Sequence, residues 1–221
     1  VNVTEYYGGG MYGQSLNVYD SNVSDTTVST TNANAYGAGG FVGIKGSYNT
    51  RSCGVTNVTV TGSGTEHGGF AGRMTGGSLI SSYVQDSTIN GASAIGGIAG
   101  AHMGGTITNF TATRSLVNAT ESHAGGVAGI FGNTEISHGA VRQTYVTDID
   151  IRANSFAGGL FGGVKYPLIY PSYVEKSYFE GSVVTETGKN AGPATGDNYN
   201  EHITRLFKMG FYEKATVNKD K

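Results

Sequence analysis

The chain is 221 residues long, the size of one domain or of a repeat array, and its 37 glycines beside only 3 prolines exclude collagen, which needs both at a strict three-residue period. Hydrophobic residues (38%) separate the glycine clusters, so the chain is neither a Gly/Ser linker nor a disordered tail. Charged residues are 14%, well under the roughly 25% of an average domain, and the net charge is -2, which leaves no basic footprint for nucleic acid and no polybasic membrane patch.

Residues 1–35 read as an N-terminal partial coil, with QSLNVYDSNV as its strand and a polar stretch, SDTTVSTTNANA, after it. The chain opens on Val1 with no signal-peptide pattern and no 18-residue apolar run, which reads as a mature protein or an excised fragment. One motif then recurs: two glycines, two small or apolar residues, and a glycine. It reads GGMYG at Gly9–Gly13, GGFVG at Gly39–Gly43, GGFAG at Gly68–Gly72 and GGIAG at Gly96–Gly100. GGVAG at Gly125–Gly129 and GGLFG at Gly158–Gly162 complete six copies, and their starts lie 30, 29, 28, 29 and 33 residues apart. A degraded seventh copy, AGPATG, covers Ala191–Gly196.

Between the glycine motifs lie SYVQDSTI from Ser82, TYVTDIDI from Thr144 and SYVEKSYF from Ser172, with looser versions from Thr56 and Asn109. Apolar and polar residues alternate in them, the period of a half-buried strand, and Val, Ile, Thr, Tyr and Phe favour strands. A unit of strand, glycine turn and strand cannot bury its own apolar face, whereas stacked units bury a continuous core. The expected fold is therefore all-β: a parallel β-helix-like solenoid of about six glycine-rich repeats over 36–196. Coils about 4.8 Å apart would stack these repeats to about 25–30 Å. The turn glycines Gly39, Gly40, Gly43, Gly68, Gly69, Gly72, Gly96, Gly97, Gly100, Gly125, Gly126, Gly129, Gly158, Gly159 and Gly162 recur in register. At such crowded corners a Cβ would clash or forbid positive φ.

Residues 197–221 break the pattern. In NEHITRLFKMG, Ile203, Leu206 and Phe207 fall at helical spacing before Gly210, which predicts a short C-terminal helical cap over the open end of the core. A junction to a following domain is the other reading.

The glycine motif with its following strand resembles the GLUG repeat over roughly residues 8–196, although Phe-Val, Phe-Ala, Ile-Ala, Val-Ala and Leu-Phe stand where that repeat often has Leu-Val. GLUG repeats occur in large bacterial surface proteins, including adhesins and the non-catalytic region of IgA-specific metalloproteases. The resemblance implies an extracellular or cell-surface setting and repeats that perform no catalysis themselves.

Catalysis on glycans would need paired carboxylates, or several oxygens around calcium. Aligning the strand motifs puts Asp86, Arg114, Asp148 and Lys176 in one column of alternating charge, the pattern of a solvated ladder and not of a carboxylate pair. Glu66-His67 and Glu121/His123 precede glycine motifs two coils apart, while His102 and His138 follow others. These histidines read as polar turn residues, no HExxH is present, and no metal site or cofactor is expected. The single cysteine, Cys53, allows neither an intrachain disulfide nor a cysteine zinc site. No glycine motif fits GxxxxGK[ST], and no GxSxG occurs. The five Asn-x-Ser/Thr sites barely exceed chance and carry no assignment.

Binding is better supported. Tyr166, Tyr170, Tyr173 and Tyr178 surround the insert KYPLIYPSY, which lengthens its repeat, and exposed tyrosines offer flat amphipathic surface to sugars or proteins. The other reading packs them as aromatic stacks within the β-layers. The expected function is a non-catalytic extracellular structural or adhesive module with a glycan or protein ligand. Two alternatives stand beside it: the solenoid region of a larger secreted enzyme, and a self-assembling filament subunit. No nucleic-acid partner and no membrane insertion are expected.

Overall fold

The computed structural model describes residues 1–221 except 5, 15–16, 33–35, 133–138, 166–171, 187–189, 198–206, 210–211 and 219–221. Every strand pair is parallel to its neighbour in the next coil, so the chain is a β-solenoid. One seven-stranded sheet stacks Tyr12–Gln14, Val42–Lys45, Ala71–Met74, Ala99–His102, Ala128–Phe131, Phe161–Val164 and Thr195–Asp197. Each of these strands issues from one glycine motif. In register, Gly158 pairs with Gly192, so the seventh copy is GPATG, one residue later than the AGPATG alignment.

The rest of each coil wraps the core as one 16-stranded sheet. Its local rule shows in the coil from Leu79 to Asn90. Leu79, Val84 and Ile89 point inward at five-residue steps, and all are fully buried. They stack on Ile107, Ala112 and Val117, and then on Val141, Val146 and Ile151. Each such apolar side chain contributes roughly 1.5–3 kcal/mol by burial. The chain turns between the steps at Ser81 (φ 50) and Asp86 (φ 52). Equivalent corners recur at Asp20 and Asp25, Ser52 and Asn57, Asn109 and Arg114, and Gln143 and Asp148. The long strands Gly105–Gly125 and Gly139–Ala153 are therefore bent at these corners and wrap around the core.

A left-handed corner residue breaks the ladder, and the side chain that follows it repairs the loss. Ser82 Oγ donates to the Ile80 carbonyl (2.9 Å) and accepts the Cys53 amide of the preceding coil (3.1 Å). Ser87 does the same for the Gln85 carbonyl (2.8 Å) and the Val58 amide (3.2 Å). Ser115 and Ser177 repeat the arrangement. Cys53 occupies one rung of this ladder, with Sγ 3.2 Å from the Arg51 carbonyl; burial pushes its thiol up in pKa, so it is a packing group.

The motif glycines meet three separate crowding constraints. A Cβ on the first (Gly39, Gly68, Gly96, Gly125, Gly158) would lie under 3.0 Å from the carbonyl three residues on in its own turn. On the second (Gly40, Gly69, Gly97, Gly126, Gly159) it would strike the carbonyl of the equivalent residue in the next coil. On the third (Gly43, Gly72, Gly100, Gly129, Gly162) it would strike backbone of the preceding coil. None of these glycines has positive φ; that conformation falls on Gly37, Gly62, Gly77, Gly105 and Gly132 instead. Close approach, and not left-handed backbone, therefore accounts for the motif.

Among the described residues the expected C-terminal helical cap is not seen. Phe207–Met209 and Tyr212–Asn218 are strands, parallel to Tyr173–Glu175 and Tyr178–Thr185. Ile203, Leu206 and Gly210 lie outside the described residues. Three apolar residues at helical spacing are a weak signal against a sheet edge whose unpaired amides and carbonyls a further strand satisfies.

Candidate functional site: a tyrosine-bearing lateral face

The side of the solenoid between the two left-handed corners is nearly regular. Its inward positions are Val55, Val84, Ala112, Val146 and Phe179. One outward column runs Gly54, Tyr83, Thr111, Tyr145 and Tyr178; the column beside it runs Thr56, Gln85, Thr113, Thr147 and Glu180. Inward alternation forces these side chains out. The Tyr83 ring lies over Gly54, where a Cβ would overlap it. Tyr145 stands 46% exposed. Tyr178 donates its hydroxyl to Glu180 (2.9 Å), and Thr147 Oγ1 donates to Thr113 Oγ1 (3.1 Å).

Charged groups flank the tyrosines. Arg142 lies over the Tyr173 ring, 4.6 Å from its centroid, and Glu175 is 3.8 Å from the same guanidinium. At the corner, Arg114 binds Asp86 through two hydrogen bonds of 2.7 and 2.8 Å. That bonding holds the Asp86 carboxyl below its ordinary range. Asp148 is the next residue of this column after Arg114. Lys176 is not in it: Tyr178 pairs with Tyr145, which places Lys176 beside Gln143 at the neighbouring corner. The segment SYVEKSYFE carries the strand pattern twice, five residues apart, and the second copy stacks on TYVT. Asp150 works against burial but is held low by Ser182 and Arg152.

Of the tyrosines singled out from the sequence, Tyr178 belongs to this face, Tyr173 lies across the corner on the adjoining side, opposite Ala140, and Tyr166 and Tyr170 lie outside the described residues. Tyr83 and Tyr145 complete it and were missed, as was Arg142 beside Tyr173 on the adjoining side. The recurring SYV, TYV and SYF triplets carry the signal for the two tyrosines.

The histidines fall elsewhere. His67 is fully buried; Nδ1 donates to the Asn90 carbonyl (2.7 Å) and Nε2 accepts from Thr30 (3.3 Å). Beside it, Glu66 grips Arg73 at 2.5 Å through both oxygens. His102 is buried against Phe131, ring centroids 5.0 Å apart, and burial pushes its pKa down to about 4. His123 stacks on Phe156 at 4.8 Å; burial, with Lys165 nearby, brings it to about 4 as well. Burial of His67 and His102 corrects the reading of these residues as polar turn groups; His138 lies outside the described residues. Among the described residues no group of three His, Cys, Asp or Glu is placed to hold a metal, and no helix is long and apolar enough to cross a membrane.

Fold and face together define a parallel β-solenoid with an aromatic, charge-flanked side. No family model, no curated protein and no solved structure matches the chain.

Proposed function

We propose that the chain is a non-catalytic structural and adhesive module of an extracellular surface protein, of the kind its resemblance to GLUG repeats implies. Its lateral face would bind a glycan. The observation that carries this reading is the outward column of Tyr83, Tyr145 and Tyr178, with hydroxyl, amide and carboxylate groups beside it. Sugar rings present apolar C–H faces and polar edges, which an aromatic ring next to hydrogen-bonding groups complements. The stacked coils supply a stiff platform, so little ordering entropy is lost on binding. The carboxylates of the face support binding over hydrolysis, because Asp86 is engaged by Arg114 and Glu180 by Tyr178.

A glycan-array screen of the folded chain, with turnover followed on every hit, tests the reading. Binding without turnover is expected. Tyr145→Ala should weaken it about tenfold with the melting temperature unchanged. Turnover of a bound glycan, or binding untouched by that substitution, would refute the proposal.

A further inference from the structure

Four arginines among the described residues pair with a carboxylate, and one of them differs from the rest. Arg73, Arg114 and Arg152 donate from Nε at 2.5, 2.7 and 2.9 Å, and each adds a second bond from Nη2. Arg142 stands 3.8 Å from Glu175, past hydrogen-bond reach, and its guanidinium donates no hydrogen bond to any described residue. It is held in place all the same. The guanidinium lies over the Tyr173 ring, 4.6 Å from the centroid. Strand register fixes this meeting: Ala140 pairs with Tyr173 and Arg142 with Glu175, so Arg142 and Tyr173 are diagonal neighbours on one outward side.

The Arg142 side chain is 45% exposed, which leaves its donors open to a ligand. A guanidinium steadied by a ring loses little freedom on binding, and its N–H fork matches a carboxylate with two parallel bonds. Lys176 adds a second positive charge, exposed at the corner beside Gln143. Across that corner stand Tyr145 and Tyr178. Arg142 is three residues from Tyr145, at most about 10 Å of extended chain. A glycan lying on the tyrosines therefore brings its neighbouring sugar to Arg142. The Glu175 carboxylate opposes a second anion there and offers an acceptor for a sugar hydroxyl.

We propose that Arg142, steadied by Tyr173, is a carboxylate-binding subsite beside the tyrosine face, and that the glycan bound there is acidic, with a carboxylated sugar next to the one resting on Tyr145. Uronate and sialate units share this chemistry. The inference rests on the glycan-binding reading above and adds the class of glycan.

Titration calorimetry of the 221-residue chain tests it. The probes are an oligouronate and a sialylated oligosaccharide, each beside its carboxyl-reduced neutral form. At least one acid is expected to bind about tenfold or more tighter than its reduced form, and the pair that does so identifies the source. The preference should shrink as salt rises. Arg142→Ala should bring the acid down to the affinity of the reduced form with the melting temperature unchanged. Arg142→Lys should keep only part of the preference, because an ammonium group lacks the fork. Arg51→Ala is the control: Arg51 lies in the same outward column three coils away, with no ring over it among the described residues, and its loss should change nothing. Equal affinity for acid and reduced forms, or a preference that survives Arg142→Ala, would overturn the inference and leave the glycan reading standing. Failure of both acids to bind would overturn it too; the glycan reading falls with it only if the array of neutral glycans is also blank.

Discussion

Ser87→Ala isolates the device that lets non-glycine residues turn the corners of this solenoid. Ser87 is 3% exposed, and its hydroxyl has two partners: it donates to the Gln85 carbonyl and accepts the Val58 amide of the preceding coil. Alanine fits the space but strands both groups. Each buried polar group left without a partner costs about 1–3 kcal/mol, so the expected loss is roughly 2–4 kcal/mol. For a chain of this length that lowers the melting temperature by roughly 5–15 °C. Calorimetry reads the total. Amide hydrogen exchange reads the site, because Val58 loses its acceptor and should exchange faster, whereas the Ser87 amide keeps its bond to Ser115 Oγ. Asp86→Asn is the control: it alters the exposed corner residue next door, whose pairing with Arg114 is solvated and contributes little. A Ser87→Ala melting temperature within about 2 °C of the parent, with Val58 exchange unchanged, would refute the ladder as a source of stability.

Two further outcomes are expected. Gly97→Val should abolish folding or give an aggregating product, since a Cβ there would lie under 3.0 Å from the Gly126 carbonyl of the next coil; a soluble variant with the parent's circular dichroism would contradict this. Acid should also destabilise the fold through its buried histidines. His102 and His123 sit at about 4 instead of the ordinary 6.5, so the unfolded chain binds more protons between those values. Their contribution is complete above about pH 6.5 and is lost as pH falls toward 4. His102→Leu should flatten the fall in melting temperature from pH 7 to pH 4, and an equally steep fall in that variant would show that His102 does not drive it.

The sequence by itself determined the coil. Six glycine motifs at near-constant spacing, separated by alternating Val, Ile, Thr and Tyr, leave no fold but stacked strands, and the motif spacing is the coil length. Crowding at the glycines was legible too, beside positive φ as the other reason for glycine, and the structure leaves only the crowding. The tertiary structure decided what depends on partners about thirty residues away. SYVEKSYFE offers two local registers, and only the summed core columns and inter-coil hydrogen bonds select the one that puts Tyr178 on Tyr145 and removes Lys176 from the charge ladder. The serine ladder is silent in the sequence, since its hydroxyls bond one coil away. Ile203, Leu206 and Phe207 carry a short helical spacing, yet Phe207–Met209 and Tyr212–Asn218 pair as strands with the preceding coil. The tyrosine face emerges only once register aligns Tyr83, Tyr145 and Tyr178: alternation says which side chains point outward, and stacking says which of them become neighbours.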